Sequence, residues 1–356
     1  MKFVHIADMH FDSPFSTLSD KGNLGERRRI EQREIFKKVI EYIKENGIEY
    51  LFISGDLYEH KYIKRSTIEF INKLFKEIEN TQVFISPGNH DPYLKNSYYN
   101  NYEWNTNVKI FNSKIEKIEL ENIDIYGYGF DDFYCSETNL EELKINNPEK
   151  INILVIHGTL DGANLEDKQY NSMSKKMLEE KGFNYIALGH IHKNNFSEDR
   201  KILYSGSTIS LGFDELGKHG MIVGEIEKEK NKLKFIQLDD TEFIEYEINC
   251  TEINSTEELI DKINSIKIEE NKFYKIILTG KRNFEINIYN LYKYELNERI
   301  IKIKDKTKPN YDIEKIAKEN TLRGLFVKEI IDELKKQEKD EEIIEKALEI
   351  GMEILE

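Results

Sequence analysis

Alternation is what most limits how this chain can fold. Short, nearly continuous apolar runs recur through residues 1–220: Phe3–Ala7, Tyr50–Ser54, Val83–Ser86, Ile123–Tyr128, Ile151–Ile156, Tyr185–Leu188 and Lys201–Tyr204. A strand that reads as an unbroken apolar run is buried on both faces, so its sheet must be covered on each side. Between the first two runs, Glu26–Asn46 spaces Ile30, Ile35, Val39, Ile40 and Ile43 as a helical face and meets Gly47 at its end. Ser66–Asn80 repeats the pattern with Ile68, Ile71, Leu74, Phe75 and Ile78. The alternation predicts a layered α/β domain.

Beyond residue 220 the pattern changes. Met221–Glu227 and Leu233–Leu238 read as a closing hairpin across the polar turn Lys228–Lys232. Phe243–Asn249, Phe273–Leu278 and Ile300–Ile303 then read as strands, and Ser255-Thr256-Glu257-Glu258 as a capping box opening a helix to about Ile266. This is the pattern of a small α/β accessory domain ending near Pro309. Asp312–Glu356 reads as helices only. Thr321 caps one bearing Leu322, Leu325, Phe326, Ile330 and Leu334, and Asp340 starts another with Ile344, Leu348, Gly351 and Leu355. The expected domains are 1–240, 241–310 and 311–356.

A chain of 356 residues buries enough surface to fold without disulfides or structural zinc. Cys135 and Cys250 lie far apart with no CxxC pattern, no apolar run is long enough to span a membrane, and the N-terminus opens directly into a strand. A reduced, cytoplasmic protein is expected. Charge argues at first against nucleic acid, with 52 Lys and Arg against 67 Asp and Glu, a net of −15. Residues 1–220 carry 28 positive and 35 negative side chains, a net of −7. Two bound divalent cations there would bring that region close to neutral, so the acidic balance does not exclude DNA.

Five short motifs each follow a predicted strand: Asp8-Met9-His10, Gly55-Asp56, Gly88-Asn89-His90-Asp91, His157-Gly158 and Gly189-His190-Ile191-His192. Strand ends of an open α/β sheet are where ligands collect. Carboxylate, imidazole and one amide oxygen form a donor set for borderline-hard divalent metals. A lone D-x-H means little; five such motifs in order, each after a strand, mean a great deal.

In order, D-x-H, G-D, G-N-H-D, H and G-H-x-H resemble the signature of calcineurin-like dinuclear metallophosphoesterases. The resemblance implies a four-layer α/β/β/α sandwich with two divalent metal ions, Mn2+ foremost and Fe2+ or Zn2+ as alternatives. It implies that Asp8, His10, Asp56 and His192 hold one metal and that Asp56, Asn89, His157 and His190 hold the other. Asp56 would bridge, one oxygen for each ion. His90 would be the general acid, oriented by Asp91. The opening His5-Ile6-Ala7-Asp8-Met9-His10-Phe11-Asp12-Ser13-Pro14 is similar to DNA repair exonucleases of the SbcD/YhaO type, as are Gly55-Asp56-Leu57-Tyr58-Glu59, Tyr204-Ser205-Gly206-Ser207 and Phe213-Asp214-Glu215. That branch implies a DNA exonuclease or endonuclease with a capping domain and terminal helices that dock an SMC-like coiled-coil ATPase of the SbcC/YhaN type. It also implies a homodimer through the region of Ser66–Asn80. The loop Tyr58-Glu59-His60-Lys61 departs from archaeal and eukaryotic relatives, which commonly place another histidine close by. No G-x-x-x-x-G-K-[ST] loop is present, so ATP dependence would come from a partner. The alternative on the same metal core is a stand-alone phosphatase or cyclic-nucleotide phosphodiesterase.

Other residues carry weaker signals. His5 lies inside the first strand and reads as a satisfied strand histidine; His60 and His219 sit beside polar loops and read as solvated. Tyr93, Tyr98, Tyr99, Tyr102 and Trp104 crowd the loop after His90, where base stacking and plain packing are both open for the tyrosines. Arg27-Arg28-Arg29 reads first as a solvated helix face and second as a phosphate contact.

Overall fold

The structure is a computed structural model that describes residues 1–15, 18, 23–135, 140–161, 170–227, 231–336 and 341–355. Asp340 and residues 228–230 of the expected turn lie outside the described residues. Two compact units divide the chain, the first comprising Met1–Glu245, Ile268–Lys275 and Glu298–Ile301. In order it carries β1 (Lys2–Ile6), α1 (Leu24–Asn46), β2 (Tyr50–Ile53), α2 (Arg65–Glu77), β3 (Gln82–Ile85), α3 (Tyr98–Asn101), β4 (Val108–Ile110), β5 (Glu116–Glu119), β6 (Ile123–Tyr128) and β7 (Ile151–His157). There follow β8 (Thr159–Leu160), β9 (Ser172–Met173), α4 (Lys175–Glu180), β10 (Tyr185–Gly189), β11 (Ile202–Tyr204), β12 (Gly220–Ile226) and β13 (Asn231–Gln237).

One sheet runs β13-β12-β1-β2-β3-β4, parallel from β1 to β4 with β12 antiparallel to β1. A second runs β11-β10-β7-β6-β5, parallel except at β5. Strand alternation explains the unbroken apolar runs. Phe3 and Phe52 share a core cluster with Ile153, Val155, Tyr185 and Ala187 of the second sheet. Their neighbours Val4, Ile6, Leu51 and Ile53 point the other way, onto Ile35, Phe36, Val39 and Ile40 of α1 and Ile68, Ile71 and Phe75 of α2. On the second sheet Leu154, Ile156, Ile186 and Leu188 pack with Leu178 of α4. Both faces of both sheets are thus buried, and the mixed α/β class is as expected. Periodicity did not reveal β4, β5 or α4. Val108-Lys109-Ile110 and Glu116-Lys117-Ile118-Glu119 are too short and charged to show an apolar run.

Helix α1 ends where Gly47 enters the left-handed region, φ 59°, and donates its N–H to Ile43 O. Ile30 lies off its buried face, more than half exposed. Arg28 takes the interior instead, pairing with the buried Asp239 at 2.6 Å and donating to Ser210 O at 2.9 Å. The arginine run is therefore neither wholly solvated nor free for phosphate: its middle member is a buried ion pair.

The second unit is Tyr246–Lys267, Ile276–Asn297 and Lys302–Glu356. After β13 the chain continues through β14 (Glu242–Asn249), α5 (Thr256–Asn264), β15 (Lys272–Thr279), β16 (Lys281–Arg282), α6 (Ile288–Leu291), β17 (Ile300–Asp305), β18 (Lys308–Pro309), α7 (Ile313–Ile316), α8 (Leu322–Lys336) and α9 (Glu341–Leu355). β14, β15 and β17 form a three-stranded sheet. Ser255 caps α5 by accepting Glu258 N–H at 3.2 Å, while Glu258 accepts from Asn254 N rather than closing the box on Ser255. In the terminal helices Ile316, Val327 and Met352 form a small core joined by Phe326, Ile331 and Leu348. Leu322, Leu325, Ile343, Ile350 and Ile354 are left exposed. Among the described residues no helix is long and apolar enough to cross a membrane.

Candidate metal centre

The five motifs meet. Asp8 and His10 follow β1, Asp56 follows β2, Asn89 and His90 follow β3, His157 ends β7, and His190 and His192 follow β10. Holding so many donors at one point strains the backbone. Asp8, His10, Asp56 and His190 all have left-handed φ, at 52°, 49°, 53° and 101°, a conformation costing about 1–3 kcal/mol per non-glycine residue and concentrated at functional sites. Glycine is required close by. A Cβ on Gly55, itself at φ 90°, would lie 2.3 Å from His157 Nδ1, and one on Gly88 would lie 2.3 Å from Asp56 Oδ1.

Among the described residues three overlapping groups place one donor atom of each member within 4.8 Å of the others: Asp8, His10 and His192; His10, Asp56 and His90; Asp8, Asp56 and His157. In the first half of the centre His10 Nε2 and His192 Nε2 face each other at 3.1 Å. His10 Nδ1 lies 2.8 Å from Glu59 Oε1, and His192 Nδ1 lies 2.5 Å from Glu215 Oε2. A carboxylate accepts only, so each Nδ1 carries the hydrogen and each Nε2 presents its lone pair to the same point. Two lone pairs at that distance need a proton or a cation between them. In the second half His157 Nδ1 donates to Ser54 O at 2.8 Å, while its Nε2 lies 3.0 Å from Asn89 Oδ1. Asn89 Oδ1 is also 3.2 Å from His190 Nδ1. Asp8 takes the His190 backbone N–H on both oxygens at 3.1 Å. With Asp8 and Asp56 buried and the nitrogens convergent, these residues fit a pair of divalent cations.

Asp56 lies between the halves. Its Oδ2 lies 3.8 Å from His10 Nε2 and 3.3 Å from His157 Nε2, whereas Oδ1 accepts His90 N–H at 2.8 Å. Oδ2 thus faces a ring nitrogen of each half, and Oδ1 ties Asp56 to the His90 backbone. Asp91 differs from expectation. Its carboxylate accepts from the backbone of Asp56 at 3.0 Å, of Leu57 at 2.6 Å and of Gly88 at 2.6 Å, and from Tyr99 Oη at 2.6 Å. It ties two loops together and leaves His90 to Glu59, whose Oε2 lies 3.0 Å from His90 Nδ1.

Electrostatics follow these partners. Burial disfavours charge on His90, yet the Glu59 hydrogen bond and the Asp56 charge raise it to about 9. Burial likewise works against ionised Glu59, but hydrogen bonds from His10 and His90 bring it down to about 2. His192 rises to about 9 against burial, through Glu215 and Asp8, while His190, two residues earlier, falls to about 3 through burial and the neighbouring His157. Asp91 is pushed up to about 6 by burial and by Asp56.

Glu59 and Glu215 were not singled out as site residues from sequence. Each stood in a quoted motif, which is the only signal the sequence offered. His219 is buried rather than solvated, donating from Nε2 to Glu215 O at 2.8 Å and meeting Ser207 Oγ at 2.8 Å. His5 lies between Tyr185 Oη at 2.9 Å and Ser54 Oγ at 3.1 Å, away from the donor groups. Tyr99 is buried, and Tyr93, Tyr98, Tyr102 and Trp104 pack against the helix-side core. Exposed rings lie elsewhere: Phe133 meets His60 at 5.7 Å, and Tyr134 stacks at 5.9 Å on Tyr170, which contacts His190 at 5.1 Å.

A family model described as calcineurin-like phosphoesterase matches residues 1–194. The chain is 25% identical over 277 residues to an uncharacterized metallophosphoesterase, YhaO, of Bacillus subtilis (strain 168), covering 74% of this chain. It spans 66% of that relative's length. A crystal structure of a conserved uncharacterized protein from Streptococcus pneumoniae TIGR4, titled a predicted phosphoesterase, is 14% identical with a TM-score of 0.31. That match covers 67% of this chain and 90% of the other.

Proposed function

The chain belongs to the calcineurin-like phosphoesterase family, and on that footing we propose that it is a metal-dependent DNA nuclease acting in repair beside an SMC-like ATPase. The family hydrolyses phosphoester bonds on a dinuclear metal centre. In this reading Asp8, His10, His192 and Asp56 hold one ion, and Asp56, Asn89, His157 and His190 the other, Mn2+ being the proposed metal. Bound divalent cations supply Lewis acidity toward phosphoryl oxygens and lower the pKa of an attacking water. His90, with Nδ1 on Glu59, keeps Nε2 for a mobile proton and delivers it to the departing oxygen. Asp91 holds the loops of Asp56 and His90 in register.

One observation favours nucleic acid over a small phosphoester. Phe133 and Tyr134 are large, exposed aromatic side chains in direct or one-ring contact with His60 and His190. Aromatic faces beside a phosphate-binding centre suit unstacked bases, each worth about 1–3 kcal/mol. The exposed Leu322, Leu325, Ile343, Ile350 and Ile354 are the surface proposed for the ATPase. The test is degradation of end-labelled single- and double-stranded DNA with Mn2+, beside 4-nitrophenyl phosphate. DNA cleavage that Phe133→Ala with Tyr134→Ala weakens through KM supports the reading. Turnover of the monoester with inert DNA, or preference for a cyclic nucleotide, replaces it with the small-substrate alternative.

A further inference from the structure

We propose that Glu59 is a shared positioning residue, one carboxylate fixing the ring tautomer of both the metal-ligand candidate His10 and the proton-donor candidate His90; this rests on the reading of His90 as general acid.

The geometry is built for sharing. Glu59 sends Oε1 to His10 Nδ1 at 2.8 Å and Oε2 to His90 Nδ1 at 3.0 Å, spending each oxygen on a different imidazole. The two rings stand edge to face, centroids 4.7 Å apart and planes at 84°. Glu59 is only 15% exposed, so water is a poor substitute for either ring. Backbone hydrogen bonds stitch its loop to both neighbours: His10 N to Asp56 O at 2.9 Å, Glu59 N to Phe11 O at 3.0 Å, and His60 N to His90 O at 2.9 Å. The loop that carries the carboxylate is therefore held in register with the loops of both rings.

The chemical consequence follows from acceptor and donor counts. An ionised carboxylate has no hydrogen to give, so both Nδ1 atoms must donate. His10 is then left with an Nε2 lone pair, the atom facing His192 and Asp56. His90 is left with Nε2 as the position whose proton comes and goes. An amide in the same place offers one acceptor and one donor, so it can serve only one ring in its native tautomer. Facing His10, the amide nitrogen would force hydrogen onto the ligand atom Nε2. Facing His90, it would leave a neutral Nε2–H, a far weaker acid than imidazolium. Glu59→Gln is isosteric, so a purely space-filling role would pass through it unchanged.

The experiment uses the full chain. Calorimetric titration of metal-stripped protein with Mn2+ reads the His10 side. The His90 side is read at saturating Mn2+ as the ratio of rates on bis(4-nitrophenyl) phosphate, whose leaving group needs little protonation, and on a dithymidine phosphate, whose alkoxide needs it. Glu59→Gln should lose at least one of the two functions; for Glu59→Ala, which serves neither ring, the expected result is about 10–100-fold weaker binding at one of two sites, as for other partners of ligating histidines. The dinucleotide rate should fall about 10²–10⁴-fold, with the aryl ester far less affected. In Glu59→Ala a change in affinity alone, in the ratio alone, or in neither overturns the shared role, as does a Glu59→Gln that changes neither. His90→Asn separates the two ideas: if it leaves the ratio unmoved, the general-acid reading is what fails. Should Glu59→Gln not fold, ring 15N spectra of the Zn2+-loaded wild type decide. Hydrogen on Nδ1 of both His10 and His90 is expected, and a bare Nδ1 on either ring refutes the proposal.

Discussion

The two halves of the centre hold similar donors by different means. In the first, His10 and His192 each rest Nδ1 on a glutamate, Glu59 and Glu215. In the second, His157 rests on the Ser54 backbone carbonyl, and His190 Nδ1 faces the Asn89 amide oxygen. An anionic partner makes an imidazole more basic and draws a cation in; a neutral dipole orients the ring and adds little charge. On one loop His192, beside Glu215, rises to about 9, while burial and the neighbouring His157 bring His190 down to about 3. His157 also rises to about 9 against burial, but through Asp56 and Asp8 rather than a glutamate of its own. The first half is thus held by side-chain charge and the second by backbone placement, with Asp56 common to both.

The largest effect should come from breaking what the halves share. Asp56→Asn is expected to reduce hydrolysis to background and to lower metal content in both halves, measured by elemental analysis after dialysis. One half remaining fully loaded would show that the halves are independent and that Asp56 Oδ2 bridges nothing. Next in size is His90, which the proposed mechanism assigns to neither half. His90→Asn should slow DNA cleavage about 10²–10⁴-fold with both ions retained. Loss of metal along with activity would move His90 into the ligand set.

Glu215→Gln sharpens the comparison directly. It weakens one anionic support, so affinity should drop about 10–100-fold in the first half while the second is unchanged. Equal weakening in both, by calorimetric titration, would mean that Glu215 acts on the fold of its loop rather than on His192. That outcome has a structural route, since Glu215 also accepts from Leu211 N and Ser207 Oγ.

How far the sequence foretold this difference depends on what each half uses. The motifs Asp8-Met9-His10 and Gly189-His190-Ile191-His192 read clearly because ligand residue types one or two positions apart announce themselves. The buried strands read clearly because both faces are apolar. Glu59 and Glu215 did not, because an acidic residue in a polar loop looks solvated until folding brings a ring nitrogen to it. The backbone carbonyl of Ser54 leaves no side-chain signature at all. Asp91 differed for a related reason: the resemblance implied a partner for His90, whereas its side chain turns to the backbone of the Asp56 loop. The tyrosines after His90 stayed open between packing and stacking, since aromatic density looks the same whether rings pack inward or face solvent.

The smallest expected effect probes what holds the second half. Ser54, whose carbonyl orients His157, gives its hydroxyl hydrogen to Ala187 O at 2.9 Å and so accepts from His5 Nε2. Tyr185 Oη then donates to His5 Nδ1, which leaves the ring fully bonded and neutral. Burial lowers His5 to about 3. The unfolded chain binds this proton near its ordinary value of about 6.5, while the native state refuses it until near 3. Native stability from a neutral His5 is therefore present above about 6.5 and is lost as pH falls toward 3, with a slope of up to about 1.4 kcal/mol per pH unit. His5→Gln keeps a donor and an acceptor but cannot titrate. Its denaturation midpoint should depend less steeply on pH than the wild type between about 6 and 4, and subtracting the two curves cancels the ligand histidines common to both. Parallel curves would show that His5 charges in the native state, and that the strand-held side of the centre is looser than its hydrogen bonds imply.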